Sequence, residues 1–223
     1  MKLHYHPVST TSRPIVLLVN EAQLPVDLQI VDLMTGEHLK TPFSQLNPNQ
    51  LVPVLEDGDF RLTESSAILK YLAERFESPL YPRDLKKRAR VNEVMDWVNT
   101  QLNRELAYGL VYPQIFPHHK RPTDDVQTGT LGWSQERARN WLKILDQHIL
   151  ADRPYVAGNE LTIADFQTSG YVSLGETIRI DYSQFPGVSR WYDRMKQLKT
   201  WSKSNEVLYG FAGSLKDRPF VAI

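Results

Sequence analysis

One change of pattern, near residue 80, constrains the fold more than any other feature of this 223-residue chain. Before Ser78-Pro79-Leu80-Tyr81-Pro82, short apolar runs alternate with helical spacing. Residues 3–6, 28–31, 52–55 and 60–62 read as strands, and 14–22 and 65–76 as helices, the arrangement of an α/β layer. Beyond that Pro-punctuated connector nearly everything reads helical. Val91, Val94, Met95, Val98 and Leu102 recur at helical spacing over residues 88–110. Pro113, Pro117 and Pro122 interrupt the next stretch, and a further helix is expected over 135–149. Two domains follow, an α/β unit over 1–80 and an all-helical unit over 81–223.

Composition narrows the chemistry. With 26 basic and 26 acidic residues the formal charge is zero, so broad electrostatic attraction to nucleic acid or an anionic membrane is not expected. There is no long uncharged apolar run and no signal-peptide pattern after Met1-Lys2-Leu3, which predicts a soluble, intracellular protein. The absence of cysteine removes disulfides, zinc–thiolate sites and a protein thiol nucleophile. Thiol chemistry must come from a bound co-substrate. His4 and His6 share a strand face but no third metal ligand accompanies them, so they read as packing and no metal is expected. His118-His119-Lys120-Arg121 reads as a solvated basic loop.

Two segments look built for binding. The first is a hairpin, residues 52–62, turning at Asp57-Gly58 and running directly into a helix that Ser65 opens, with Ile68, Leu69, Leu72 and Phe76 on its apolar face. Free N–H groups at that helix start, with the Ser65 hydroxyl, suit a carboxylate, and adjacent Glu64 suits an ammonium. Together they would hold a zwitterionic amino-acid head. The second is His4-Tyr5-His6-Pro7-Val8-Ser9-Thr10-Thr11-Ser12-Arg13-Pro14, where the first strand meets the first helix. Pro14 suits a first helical turn, Ser12 is a natural N-cap, and Ser9 lies in the loop leading in. Farther on, Thr162 and Asp165 have capping-box spacing and predict a folding element with no part in chemistry.

The segment from Val31 to Leu72 resembles the glutathione transferases, most closely the theta type. The residues that carry this are Val31-Asp32-Leu33, Gly36-Glu37-His38-Leu39, Phe43-Ser44-Gln45-Leu46-Asn47-Pro48, Val52-Pro53 and Leu62-Thr63-Glu64-Ser65. The likeness continues through Tyr81-Pro82, Arg88-Ala89-Arg90-Val91 and Trp97, and Leu161-Thr162-Ile163-Ala164-Asp165-Phe166 resembles the family's buried-helix signature. The resemblance implies a thioredoxin-like domain followed by an all-helical domain, glutathione as co-substrate, and a cytoplasmic homodimer. Thiolate of glutathione would attack an apolar electrophile, a halide or epoxide, or reduce an organic hydroperoxide. A non-catalytic carrier or interaction module on the same fold is the alternative. Theta-type members place a catalytic serine four residues before an arginine, which selects Ser9 before Arg13; the family's other register, with proline two residues after the serine, selects Ser12. Tyr5 echoes the tyrosine-using members. Glu64 and Ser65 would take the γ-glutamyl end, Val52 and Pro53 the cysteinyl unit across a cis bond, and His38 or Lys40 the glycine end. Gln50 would stand in for the polar residue that Leu51 replaces. Tyr108, Tyr112 and Trp133 either line an electrophile pocket or form helical core, with Tyr209, Phe211 and Phe220 of the tail as further candidates.

Overall fold

The computed structural model describes residues 1–223. Strand β1 (Lys2–Tyr5) crosses through helix α1 (Arg13–Glu21) to β2 (Asp27–Ile30), which pairs with it in parallel. After a short α2 (Phe43–Leu46), strands β3 (Val54–Asp57) and β4 (Phe60–Leu62) add antiparallel, giving the order β2-β1-β3-β4. The register brings Leu28, Leu3, Leu55 and Leu62 into one cross-strand row, an apolar face for helices to cover. Strand β3 starts two residues later than the sequence suggests, because Pro53 has no N–H to give a ladder. The hairpin turn likewise sits one residue later, at Gly58-Asp59, with Gly58 at φ +60°, which glycine adopts without a Cβ penalty.

Helix α3 (Ser65–Arg75) closes the α/β half, and α4 (Leu85–Trp97) opens the helical half with the Asp84 side chain accepting from Lys87 N–H. From α4 the chain stays helical through residue 115, but not as one α-helix. It widens into π turns over Val98–Leu102 and Arg104–Val111 before α5 (Tyr112–Ile115). Pro113 therefore does not break the helix. It is the second residue of α5, directly after the π turns. Helix α6 (Asp124–Ile144) begins well before residue 135, since the Thr123 hydroxyl accepts from Val126 N–H and Asp124 and Asp125 favour the N-terminal dipole.

Every residue of α7 (Ile163–Gly175) is buried. The capping box forms as expected: Asp165 accepts from Thr162 N–H at 2.9 Å and from Val156 N–H at 2.8 Å. It also accepts from the Trp191 indole at 2.9 Å, which ties in α8 (Pro186–Lys196). Helix α1 packs against α3, α7 and α9 (Trp201–Ser214), so one apolar core runs through both halves. At the tightest point, a Cβ on Gly170 of α7 would meet Pro14 Cγ at 2.5 Å and Thr10 O at 2.7 Å. A second tie is a set of hydrogen bonds from a buried cation. Arg13 is 2% exposed and donates to Ser173 Oγ and Asn205 Oδ1, both at 2.7 Å, and to Gly170 O at 3.0 Å. With only neutral oxygens around it, burial pulls its pKa down to about 10.

Candidate active site

The two halves enclose a cavity of about 730 Å³. The loop after β1, the cis-proline bend before β3 and the start of α3 form one wall; the π-helical run and Phe211 of α9 form the other.

On the first wall, Ser9 lines the cavity and Ser12 does not. The reason is local. Ser9 Oγ accepts Ser12 N–H at 3.2 Å, and Ser9 O accepts Arg13 N–H at 3.1 Å, so Ser9 caps the entry to α1 from within the cavity. The N-cap role expected of the Ser12 side chain is thus taken by Ser9; Ser12 Oγ is buried with no partner. Thr11 Oγ1 donates to Val52 O at 3.3 Å, leaving it free to accept the Ser9 proton at 3.2 Å. A ligand atom above Ser9 competes with Thr11 for that proton. Tyr5 lies outside the lining, and burial raises its pKa, which makes it a poor acid.

Val52 and Pro53 line the same cavity, joined by a cis bond, and so does Gln50. Glu64 and Ser65 face it too, Ser65 being buried. No side chain caps α3, so its first amides are unclaimed by side chains. Glu64 holds φ +65° and Gln50 φ +57°, a region where a Cβ is strained by about 1–3 kcal/mol. Two strained polar residues facing one cavity point to binding. His38 lines the cavity with Nδ1 unpartnered; Lys40 is outside the lining, its ammonium donating to Thr35 O at 3.3 Å. His6 also faces the cavity, and burial lowers its pKa.

The opposite wall is aromatic. Tyr108, Tyr112, Phe116, His118, His119 and Phe211 line it, with Tyr112–His119 centroids 5.1 Å apart and Phe116–Phe211 stacked at 6.2 Å. Tyr112 donates to Thr10 Oγ1 at 2.9 Å, and burial raises its pKa to about 12, so it stays protonated. Burial lowers the pKa of His119, with His118 and Arg121 adding to the effect. The histidine pair read from sequence as a solvated loop is therefore part of the cavity. Pro117 folds it back as a short 3₁₀ turn, and Pro at a turn start was the available signal. Trp133 is 63% exposed and lies outside, as do Tyr209 and Phe220. Asn99 and Asn103 line the cavity without having been anticipated. No group of three or more His, Cys, Asp or Glu side chains is placed to hold a metal.

This layout has relatives. Residues 3–80 match the family model for the glutathione S-transferase N-terminal domain, and residues 130–199 that for the C-terminal domain. Human glutathione S-transferase theta-1 is 35% identical over 167 residues, covering 74% of this chain and 69% of that protein. Human theta-2B is 31% identical over 201 residues, covering 88% and 80%. Among solved structures, human glutathione transferase theta-2 in complex with glutathione and an unknown ligand superposes with TM-score 0.83 at 26% identity, covering 100% of this chain and 93% of that one. A delta-class glutathione transferase of Nilaparvata lugens gives 0.80 at 32% identity, covering 96% and 98%. Sequence, architecture and the peptide-sized cleft agree: this chain belongs to the glutathione S-transferase family, is theta-like, and takes glutathione as its co-substrate.

Proposed function

We propose that the protein joins glutathione to apolar electrophiles, with Ser9 stabilising the thiolate. The supporting observation is that Ser9, the Glu64–Ser65 pair and the aromatic wall front one cavity. In this reading Glu64 takes the γ-glutamyl ammonium and Ser65 with the α3 amides the carboxylate. The backbone at Val52-Pro53 pairs with the cysteinyl unit, Gln50 flanks it, and His38 serves the glycine end, with Lys40 reaching in only if it leaves Thr35. Residues 1–80 then form the glutathione-binding domain and 81–223 supply the electrophile side. The active unit is a homodimer in the cytoplasm.

A serine is too weak an acid to act as base toward a thiol, so it donates. The Ser9 hydroxyl turns from Thr11 to the sulfur, and the thiol proton leaves to solvent. With a halide, the S–C bond forms as the C–X bond breaks, and halide leaves with the electron pair. With an epoxide, S–C formation opens a C–O bond and the alkoxide takes a proton from water. With a hydroperoxide, sulfur attacks the terminal oxygen, the O–O bond breaks to give an alcohol, and a second glutathione reduces the resulting sulfenic acid to disulfide and water. The test is a panel of alkyl halides, aryl halides, epoxides and hydroperoxides with purified protein. Turnover in at least one class is expected, and binding of glutathione with none turned over would refute the reading.

A further inference from the structure

The electrophile side of the cavity carries two histidines that the chemistry described so far leaves idle. His118 and His119 both line it, on the 3₁₀ turn that Pro117 opens. Their settings differ. His118 is exposed, whereas the partly buried His119 ring packs among three others, with centroids 5.1 Å from Tyr112, 5.7 Å from Tyr108 and 6.2 Å from Phe116. No hydrogen bond within the protein engages either ring nitrogen of His119, and neither nitrogen is buried. Packing fixes the imidazole while its polar atoms stay free for a ligand.

Tyr112 sets its distance from Ser9. The Tyr112 hydroxyl donates to Thr10 Oγ1 at 2.9 Å, next to Ser9, and the same ring packs on His119. The imidazole and the Ser9 loop are thus one tyrosine side chain apart, facing one cavity. A sulfur beside Ser9 and a proton on His119 can reach the two ends of one small electrophile, the carbon attacked and the atom that leaves. The neighbouring groups do not compete for that role. Burial raises the pKa of Tyr108 and takes that of Tyr112 to about 12, Arg121 donates to Tyr108 O, and Lys120 pairs with Asp124. Burial, with His118 and Arg121 adding to it, lowers the His119 pKa and makes its imidazolium the stronger acid.

We propose that His119 is the acid of the electrophile side and turns the site toward substrates whose leaving atom is oxygen, epoxides and hydroperoxides. This rests on the reading of the cavity as a conjugating site with sulfur at Ser9. With an epoxide, the S–C bond forms as the C–O bond breaks, and the departing oxygen takes the imidazolium proton, which the ring regains from water. With a hydroperoxide, the S–O bond forms as the O–O bond breaks, and the departing alkoxide takes the same proton. A halide leaves as a stable anion and needs none.

The test compares styrene oxide with benzyl chloride, which differ in the leaving atom, as kcat/KM between about pH 5 and 8 with uncatalysed rates subtracted. Both reactions need the thiolate, so their ratio cancels that dependence. The wild-type ratio of oxide to chloride is expected to rise as pH falls toward the lowered His119 pKa, because the acid form gains there. His119→Phe is expected to lower that ratio about 100-fold at its acid limit. His119→Gln keeps an N–H but has no titrating proton, so its ratio should be intermediate and flat with pH, and it carries the test if the Phe variant does not fold. A flat wild-type ratio, a ratio unchanged in His119→Phe, a pH dependence that persists in His119→Gln, or a loss seen in His118→Phe instead overturns the proposal. Turnover of the chloride without the oxide also overturns it and leaves the conjugating reading standing. If glutathione binds and no electrophile turns over, that reading fails and the proposal with it.

Discussion

Ser9 and Ser12 stand three residues apart and use their hydroxyls in opposite ways. Ser9 Oγ accepts the Ser12 amide and faces the cavity, while Ser12 Oγ is buried and idle. Ser12→Ala therefore removes an unsatisfied buried oxygen, and chemical denaturation should find it neutral or slightly stabilising, rather than weakened by the roughly 1 kcal/mol of a lost cap. Ser9→Ala loses the cap and, in the proposed mechanism, the donor to sulfur. A free thiol with pKa near 8.5 is only about 3% ionised at pH 7, and a charge-assisted hydrogen bond of about 1.5–3 kcal/mol lowers that pKa by about one to two units. The thiolate is thus present above a lowered midpoint and lost as pH falls through it. Ultraviolet titration of bound glutathione should show that midpoint raised in Ser9→Ala and unmoved in Ser12→Ala, with turnover of the former down about 10- to 1,000-fold. The reverse pattern would assign the thiolate to Ser12.

At the scale of elements, α7 is the member that sets the others. Burial raises the Asp165 carboxyl from its ordinary 3.8 to about 6, although Val156, Thr162 and Trp191 all donate to it. A folded pKa above the unfolded one means that the native state holds the extra proton, so this group's contribution to stability is full below about pH 4 and declines as pH rises to about 6. The decline amounts to about 3 kcal/mol at most. Urea midpoints between pH 4 and 7 should fall less in Asp165→Asn than in the parent; an unchanged slope would mean that Asp165 is already ionised at pH 4. Gly170→Ala should cost about 1–3 kcal/mol, because Thr10 O is backbone and cannot yield to a Cβ at 2.7 Å, and it should lower turnover by displacing the loop that carries Ser9. Thermal denaturation with parallel assays checks both. The strands, α1, α3 and the capping box were legible because local chemistry decides them: alternation, a glycine turn, a polar residue before an apolar run. The π run was not. Val91, Val94, Met95, Val98 and Leu102 follow an α-helical period, and the widened turns arise where the buried side meets α6 and α7. Asn99 and Asn103 were invisible for that reason. The start of α6 escaped notice because Gly129 and Gly132 dilute its apolar stripe, though Thr123-Asp124-Asp125 announces it.

The molecule as a whole presents a cleft between an α/β half and a helical half, with no net charge to steer partners. Light scattering at micromolar concentration should return twice the 25.8 kDa chain mass, and full activity in a particle of one chain mass would disprove the dimer. Because one hydrophobic core and the Arg13 contacts bridge the halves, the two should unfold together in a single thermal transition. The same guanidinium has a bearing on recombination. Arg13 is anchored by Ser173 Oγ, Gly170 O and Asn205 Oδ1 from two helices far along the chain, and these three neutral oxygens are all that its guanidinium donates to, with no anion beside it. A chimera that joins residues 1–80 to another member's helical half thus acquires an orphaned charge beneath the loop that carries Ser9, unless the donor of that half brings oxygens at these places. Such crosses are expected to sort by compatibility at Arg13, Ser173 and Asn205 before they sort by the shape of the electrophile pocket.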